Sequence, residues 1–131
     1  MPYTIQRNPE FVEVTLHRNS TVHDLLRALE ELTRADPRKE TCDLWVFSDD
    51  MTIPFESFGP IADKIRSLCR TDFIGSRSAM VATGVFQLAQ MELYRQEAAT
   101  LPYELGLFLN REAAIAWLKE WRHPTRRKPR N

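Results

Sequence analysis

Asp49 and Asp50 are the residues of this chain best suited by type to hold a metal ion or accept a phosphoryl group. A hard cation needs several oxygens converging on one point. Adjacent residues rarely aim both side chains at one ion, and no third acid ends another expected strand, so no metal site is expected. A phosphoryl-accepting aspartate would need further acids and a lysine at other strand ends, whereas the last strand runs into Leu109-Asn110-Arg111. Nucleophilic chemistry is no better supported. His17, His23 and His123 fall in a strand, on a helix surface and near the C-terminus. None lies near a Ser or Cys that it could activate. Cys42 and Cys69 form no C-x-x-C pair and read as ordinary thiols. There is no P-loop, no G-x-G-x-x-G and no H-E-x-x-H. No catalytic residues and no cofactor are expected.

Binding is better supported than catalysis. Thr83-Gly84 precedes a helix whose first amides could face an anion, although one glycine serves a tight turn equally well. Phe47, Phe55, Phe58, Phe86, Met91 and Tyr94 gather on or near the loop ends. Met51-Thr52-Ile53-Pro54-Phe55 puts three large apolar groups into a loop, where they must cap the core, line a pocket or meet a partner. In open α/β sheets ligands sit beyond the carboxyl ends of parallel strands. The expected contact residues are therefore Ser48, Asp49, Phe55, Phe58, Thr83, Gly84, Phe86 and Tyr94.

These residues need a scaffold, and hydrophobic spacing supplies one. Tyr3–Arg7 and Phe11–His17 read as a hairpin turning at Asn8-Pro9-Glu10. Thr21, with Asp24 three residues on, starts a helix that runs to Arg34 on Val22, Leu25, Leu26, Leu29 and Leu32. Leu44–Phe47 is a continuous apolar run, as in a strand buried on both faces. A helix over Phe58–Leu68 follows, with Ser57 at its cap position. Next come a strand over Ser78–Thr83, a turn at Gly84, a helix over Val85–Ala99 and a strand over Glu104–Leu109. Asn110 caps a final helix over Arg111–Trp121, with Ala113, Ala114, Ile115, Trp117, Leu118 and Trp121 as its apolar side. The order is β-β-α-β-α-β-α-β-α. It predicts an α/β domain with a mixed five-stranded sheet and about four helices, since parallel strands need helical crossovers.

The 131 residues, 43% hydrophobic and 27% charged, suit one domain. No leader-like segment or membrane-length apolar run is seen, and with two unpaired cysteines a cytoplasmic protein is expected. The zero net charge conceals an asymmetry. Five of the 18 Lys/Arg and none of the 18 Asp/Glu fall in 122–131, leaving 13 basic against 18 acidic residues in 1–121. The domain is expected over 1–121, and 122–131 is expected to be a basic, disordered tail. That tail is the sole nucleic-acid or anionic-membrane signal.

The phrases Arg77-Ser78-Ala79-Met80-Val81-Ala82-Thr83-Gly84 and Leu107-Phe108-Leu109-Asn110-Arg111-Glu112-Ala113-Ala114-Ile115-Ala116-Trp117-Leu118 resemble the SpoIIAA-like (STAS-like) group of small bacterial proteins. The fold of that group is related to the CRAL-TRIO/Sec14 domain. The resemblance spans about residues 3–121 and is most specific in its strand-to-helix ending. It implies the element order above, no enzymatic activity and a bacterial cytosolic setting. The aligned Ser48-Asp49-Asp50-Met51-Thr52 lacks the serine motif by which anti-sigma-factor antagonists are switched. A non-enzymatic regulatory or protein-interaction module is expected, acting through 48–58 and the third helix, with a homodimer plausible. The alternative is a binder or sensor of a small apolar or lipid-like ligand, in a pocket near 48–58 and 83–94. An enzyme using Asp49, Asp50 and Glu56 is the weakest reading.

Overall fold

The two-residue alternation of the strands divides the interior into two cores, one on each face of the sheet. A computed structural model describes residues 2–122 except 50, 52 and 71, and of Phe55 only the backbone. Asp50, His123 and the remainder of the basic segment therefore lie outside the described residues. The elements are β1 (Tyr3–Arg7), β2 (Phe11–Leu16), α1 (Val22–Ala35), β3 (Cys42–Phe47), a 3₁₀ turn (Phe55–Ser57), α2 (Phe58–Leu68), β4 (Arg77–Val81), α3 (Val85–Glu97), β5 (Glu104–Phe108) and α4 (Arg111–Lys119). The sheet order is β1-β2-β3-β4-β5. β1 and β2 are antiparallel and the other three pairings parallel. The expected mixed α/β sheet of five strands and four helices is the one observed.

The register aligns Arg7, Val12, Asp43 and Ser78 in one cross-sheet row, with Leu105 beside Ser78 on β5. The next row on the same face is Ile5, Val14, Trp45, Met80 and Leu107. Val14, Trp45 and Met80 belong to the larger core, shared with Leu25 and Ala28 of α1, Ile61 and Ile65 of α2, and Met91 and Tyr94 of α3. Alternate residues point the other way. Phe11, Cys42, Leu44, Ala79 and Val81 form a second core with Ala114 and Leu118 of α4. Full burial of a side chain such as Phe47 or Leu44 contributes about 1.5–3 kcal/mol.

Local chemistry starts and stops these elements. Asn8 accepts the backbone N–H groups of Glu10 and Phe11 at 3.0 and 2.9 Å, which closes the hairpin. Thr21 and Asp24 form the expected reciprocal capping box on α1. Asn110 accepts the Ala113 N–H at 2.7 Å and caps α4. α4 is also held from the sheet. Arg77 stacks its guanidinium 4.7 Å from the Trp117 ring and donates to the Trp117 carbonyl at 2.8 Å. Arg111 grips the buried Glu13 of β2 with two hydrogen bonds of 2.9 and 2.6 Å.

Several expected details are corrected. Ser57 occupies the cap position of α2 but makes no side-chain cap bond, because the preceding 3₁₀ turn leaves it in a helical conformation. α4 ends at Lys119, and Ala113 is exposed on it rather than part of its apolar side. Gly84 has φ −168°, an extended conformation open to any residue, with nothing near a Cβ, so the turn into α3 does not require glycine.

Gly75 is a glycine the fold does require. Its φ is +83°, and a Cβ there would stand 2.6 Å from the Pro102 carbonyl oxygen. Gly75→Ala is expected to destabilise the protein by about 1–3 kcal/mol in denaturant unfolding, whereas Gly84→Ser stays within about 0.5 kcal/mol of the parent.

Candidate functional site

The expected contact residues divide into three sets, apart from Phe55, whose side chain lies outside the described residues. Ser48 and Thr83 are joined by a residue that sequence reasoning passed over, Gln87 of α3. Its buried amide accepts the Thr83 backbone N–H at 3.0 Å and donates to the carbonyls of Ser48 and Met51 at 2.9 and 2.8 Å. That amide group therefore already has an acceptor from within the chain. Phe58 and Tyr94 are core, packed edge to face with centroids 5.9 Å apart. Asp49 and Phe86 face outward, and Gly84 is half-buried between them and the core. Met51 and Ile53 are buried, so this loop caps the core. The space left between it and α3 is about 10 Å³, lined by Met51, Ile53, Phe58, Gln87 and Met91. That is room for no more than one water.

The open space lies at the opposite ends of the strands. A cavity of about 100 Å³ runs between the sheet and α1–α2, near the amino ends of β3, β4 and β5. Its apolar wall includes Leu25, Leu29, Ile61, Ile65, Trp45 and Met80. One end is polar. Asp43 sits on the inward parity of β3, two residues before Trp45, and next to Ser78 in the register. Its Oδ1 accepts the Trp45 indole N–H at 2.9 Å and the Ser78 hydroxyl. Its Oδ2 takes Lys39 Nζ at 2.5 Å, with both side chains only 14% exposed.

Lys39 owes its position to an unusual backbone. After α1 ends, Asp36 accepts the N–H groups of Glu40 and Thr41 at 3.0 and 2.8 Å, which folds 36–41 into a tight connection. Lys39 within it adopts φ +48°, a region that costs a non-glycine residue about 1 kcal/mol or more. The connection directs its ammonium to Asp43 and over the Tyr103 ring, 4.9 Å from the centroid.

The electrostatics of the cavity argue against nucleophilic chemistry. Burial pushes the thiols of Cys42 and Cys69 up, so neither is a thiolate near neutral pH. Burial also pushes the Tyr94 phenol up to about 12, against a hydrogen bond from Tyr103 that lowers it. Burial holds the Tyr103 phenol well above its ordinary value, as does the nearby Tyr94. Among the described residues no three His, Cys, Asp or Glu side chains converge as a metal site would need. No helix among them is long and apolar enough to cross a membrane.

The residues missed at this site left faint signals. Asp43 is recoverable from the alternation Asp43, Trp45, Phe47, provided the strand is started at Cys42 rather than Leu44. Lys39 had no signal, because its role depends on a left-handed backbone and a ring 64 positions away. Comparison with family models, curated proteins and solved structures found no match to this chain.

The two phenols make the cavity wall sensitive to alkali. Their folded pKa values lie above the unfolded value of about 10, so their contribution to stability is complete below that pH. For Tyr94 it is lost as pH rises through about 12. Unfolding above pH 10 is expected to coincide with the phenolate absorbance rise, and Tyr94→Phe to reduce that alkaline loss of stability.

Proposed function

We propose that this domain is a non-enzymatic binding module that takes a small, largely apolar molecule into the cavity between its sheet and α1–α2. The carrying observation is the composition of that cavity. About 100 Å³ is walled by aliphatic and aromatic side chains and ends in one cluster of Lys39, Asp43, Ser78 and Trp45. An apolar body with a few convergent polar groups is the usual make-up of a ligand pocket. Apolar cavities of roughly 150 Å³ in other proteins take up benzene. The ligand reading thus keeps the chemistry expected from sequence and shifts its centre toward the amino ends of the strands, with Ile53 and Tyr94 of the expected 48–58 and 83–94 still on the wall.

The resemblance to SpoIIAA-like proteins supports the absence of catalysis and a regulatory setting in the bacterial cytosol. The element order and the ending from Phe108 to Leu118 are what that resemblance leads one to expect. The ligand in this reading is a signal or cargo, with no bond made or broken.

Hexan-1-ol titrated into the protein is expected to raise the melting temperature saturably and to change Trp45 fluorescence. Leu29→Phe, which fills the cavity, is expected to weaken this at least tenfold without lowering stability in the absence of ligand. Native mass spectrometry of protein from its own host is expected to show a bound small molecule. A dry protein with no saturable response to hexanol overturns the reading.

A protein partner is favoured by a separate observation. Phe86, Ala89 and Leu93 are exposed at helical spacing on α3, beside an exposed Val85. The second reading is that this stripe meets a second copy of the chain. Light scattering at tens of micromolar is expected to give a dimer mass that Phe86→Glu returns to monomer. A monomer of the parent at that concentration rejects it.

A further inference from the structure

We propose that the polar end of the cavity selects a small monocarboxylate, held by Lys39 with its apolar body among the α1, α2 and sheet side chains. This deepens the ligand reading above and rests on it. The reasoning is a balance of donors and acceptors around the cavity.

Two carboxylates line it, Asp36 and Asp43. Both are spent on the chain itself. The oxygens of Asp36 each accept one backbone N–H, from Glu40 and from Thr41. Asp43 accepts the Trp45 indole, the Ser78 hydroxyl and the Lys39 ammonium. A ligand bringing donors, such as an amine, would have to share these carboxylates with donors of the chain that already neutralise or bond them.

The cations are placed differently. Two line the cavity, Lys39 and Arg7. An ammonium carries three N–H donors, and Lys39 gives one to Asp43 while its flank rests on the Tyr103 ring. Arg7 sits in the same cross-sheet row as Asp43 and has no ion pair among the described residues. Lys39 therefore has N–H donors beyond the one it gives Asp43, whereas both carboxylates are already paired with donors of the chain. The group that completes the cluster is an anionic acceptor, and in a partly buried site a charge-assisted bond is about twice as strong as a neutral one. The backbone strain at Lys39 accords with this, since a lysine held at φ +48° is fixed in place for its ammonium.

Three probes with one six-carbon body and different heads decide the matter on the unaltered protein. Calorimetric titration at neutral pH is expected to give hexanoate at least tenfold tighter than hexan-1-ol, and hexylamine no tighter than the alcohol. Lys39→Met is expected to abolish the preference for hexanoate over hexanol, while Lys39→Arg retains it. Circular dichroism checks that both variants fold, and the probe series on the parent stands without them. Hexanoate and hexanol binding alike, or hexylamine binding tightest, overturns the carboxylate inference and leaves the cavity reading in place. Binding of none of the three overturns the cavity reading and this inference with it.

Discussion

Strand alternation along β3 is the constraint on which the rest of this structure depends. β3 is the middle strand of the sheet, and its two sets of side chains serve different purposes. Asp43, Trp45 and Phe47 face the three-helix layer, while Cys42 and Leu44 face α4. A slip of one residue would exchange the two sets. It would drive a carboxylate under α4 and expose the face on which α1, α2 and α3 pack. The parallel pairings on either side fix the register, and the Trp45 indole bonded to Asp43 ties two residues of one parity together.

That parity also creates the polar row, and the row explains where the interior stays open. Asp43 and Ser78 occupy positions in which an apolar side chain would have extended the core to the strand ends. A partly buried ion pair is a weak source of stability, because desolvating both charges offsets most of their attraction. The cluster therefore contributes little to folding for the space it takes. At the carboxyl ends the situation is reversed. There Met51 and Ile53 fold down onto the core, and Gln87 bonds the loop to the start of α3. The usual location for ligands in such sheets is thus closed by the chain's own side chains, and the amino ends hold the vacancy.

The elements themselves were legible because each rests on local chemistry. Thr21 with Asp24, Asn110 and the Asn8 turn act within three residues of their own position, and the apolar spacing of α1 and α2 needs no partner to be read. The candidate site was not, because its parts come from separate segments. Starting β3 at Leu44 left Asp43 in a loop and concealed its parity with Trp45. Gln87 is one polar residue of α3, and its three partners come from the loops at 48–51 and 83. Glu13 reads as a polar residue on the solvent side of a hairpin strand. It is buried, because α4 delivers Arg111 to it across 98 positions of sequence. For Gln87 and Glu13 the partners come from other segments, and no local pattern names them.

The lone helix on the second face carries a consequence for synthesis. The buried residues of the first core end at Leu101, but the second gains its cover only when Ala114 and Leu118 arrive. On a ribosome, the sheet would hold Phe11, Leu44, Ala79 and Val81 uncovered until the α4 segment has left the exit tunnel. The nascent chain then passes through a stage with one finished side and one adhesive side. The arrival of α4, anchored by Arg111 on Glu13, ends that stage.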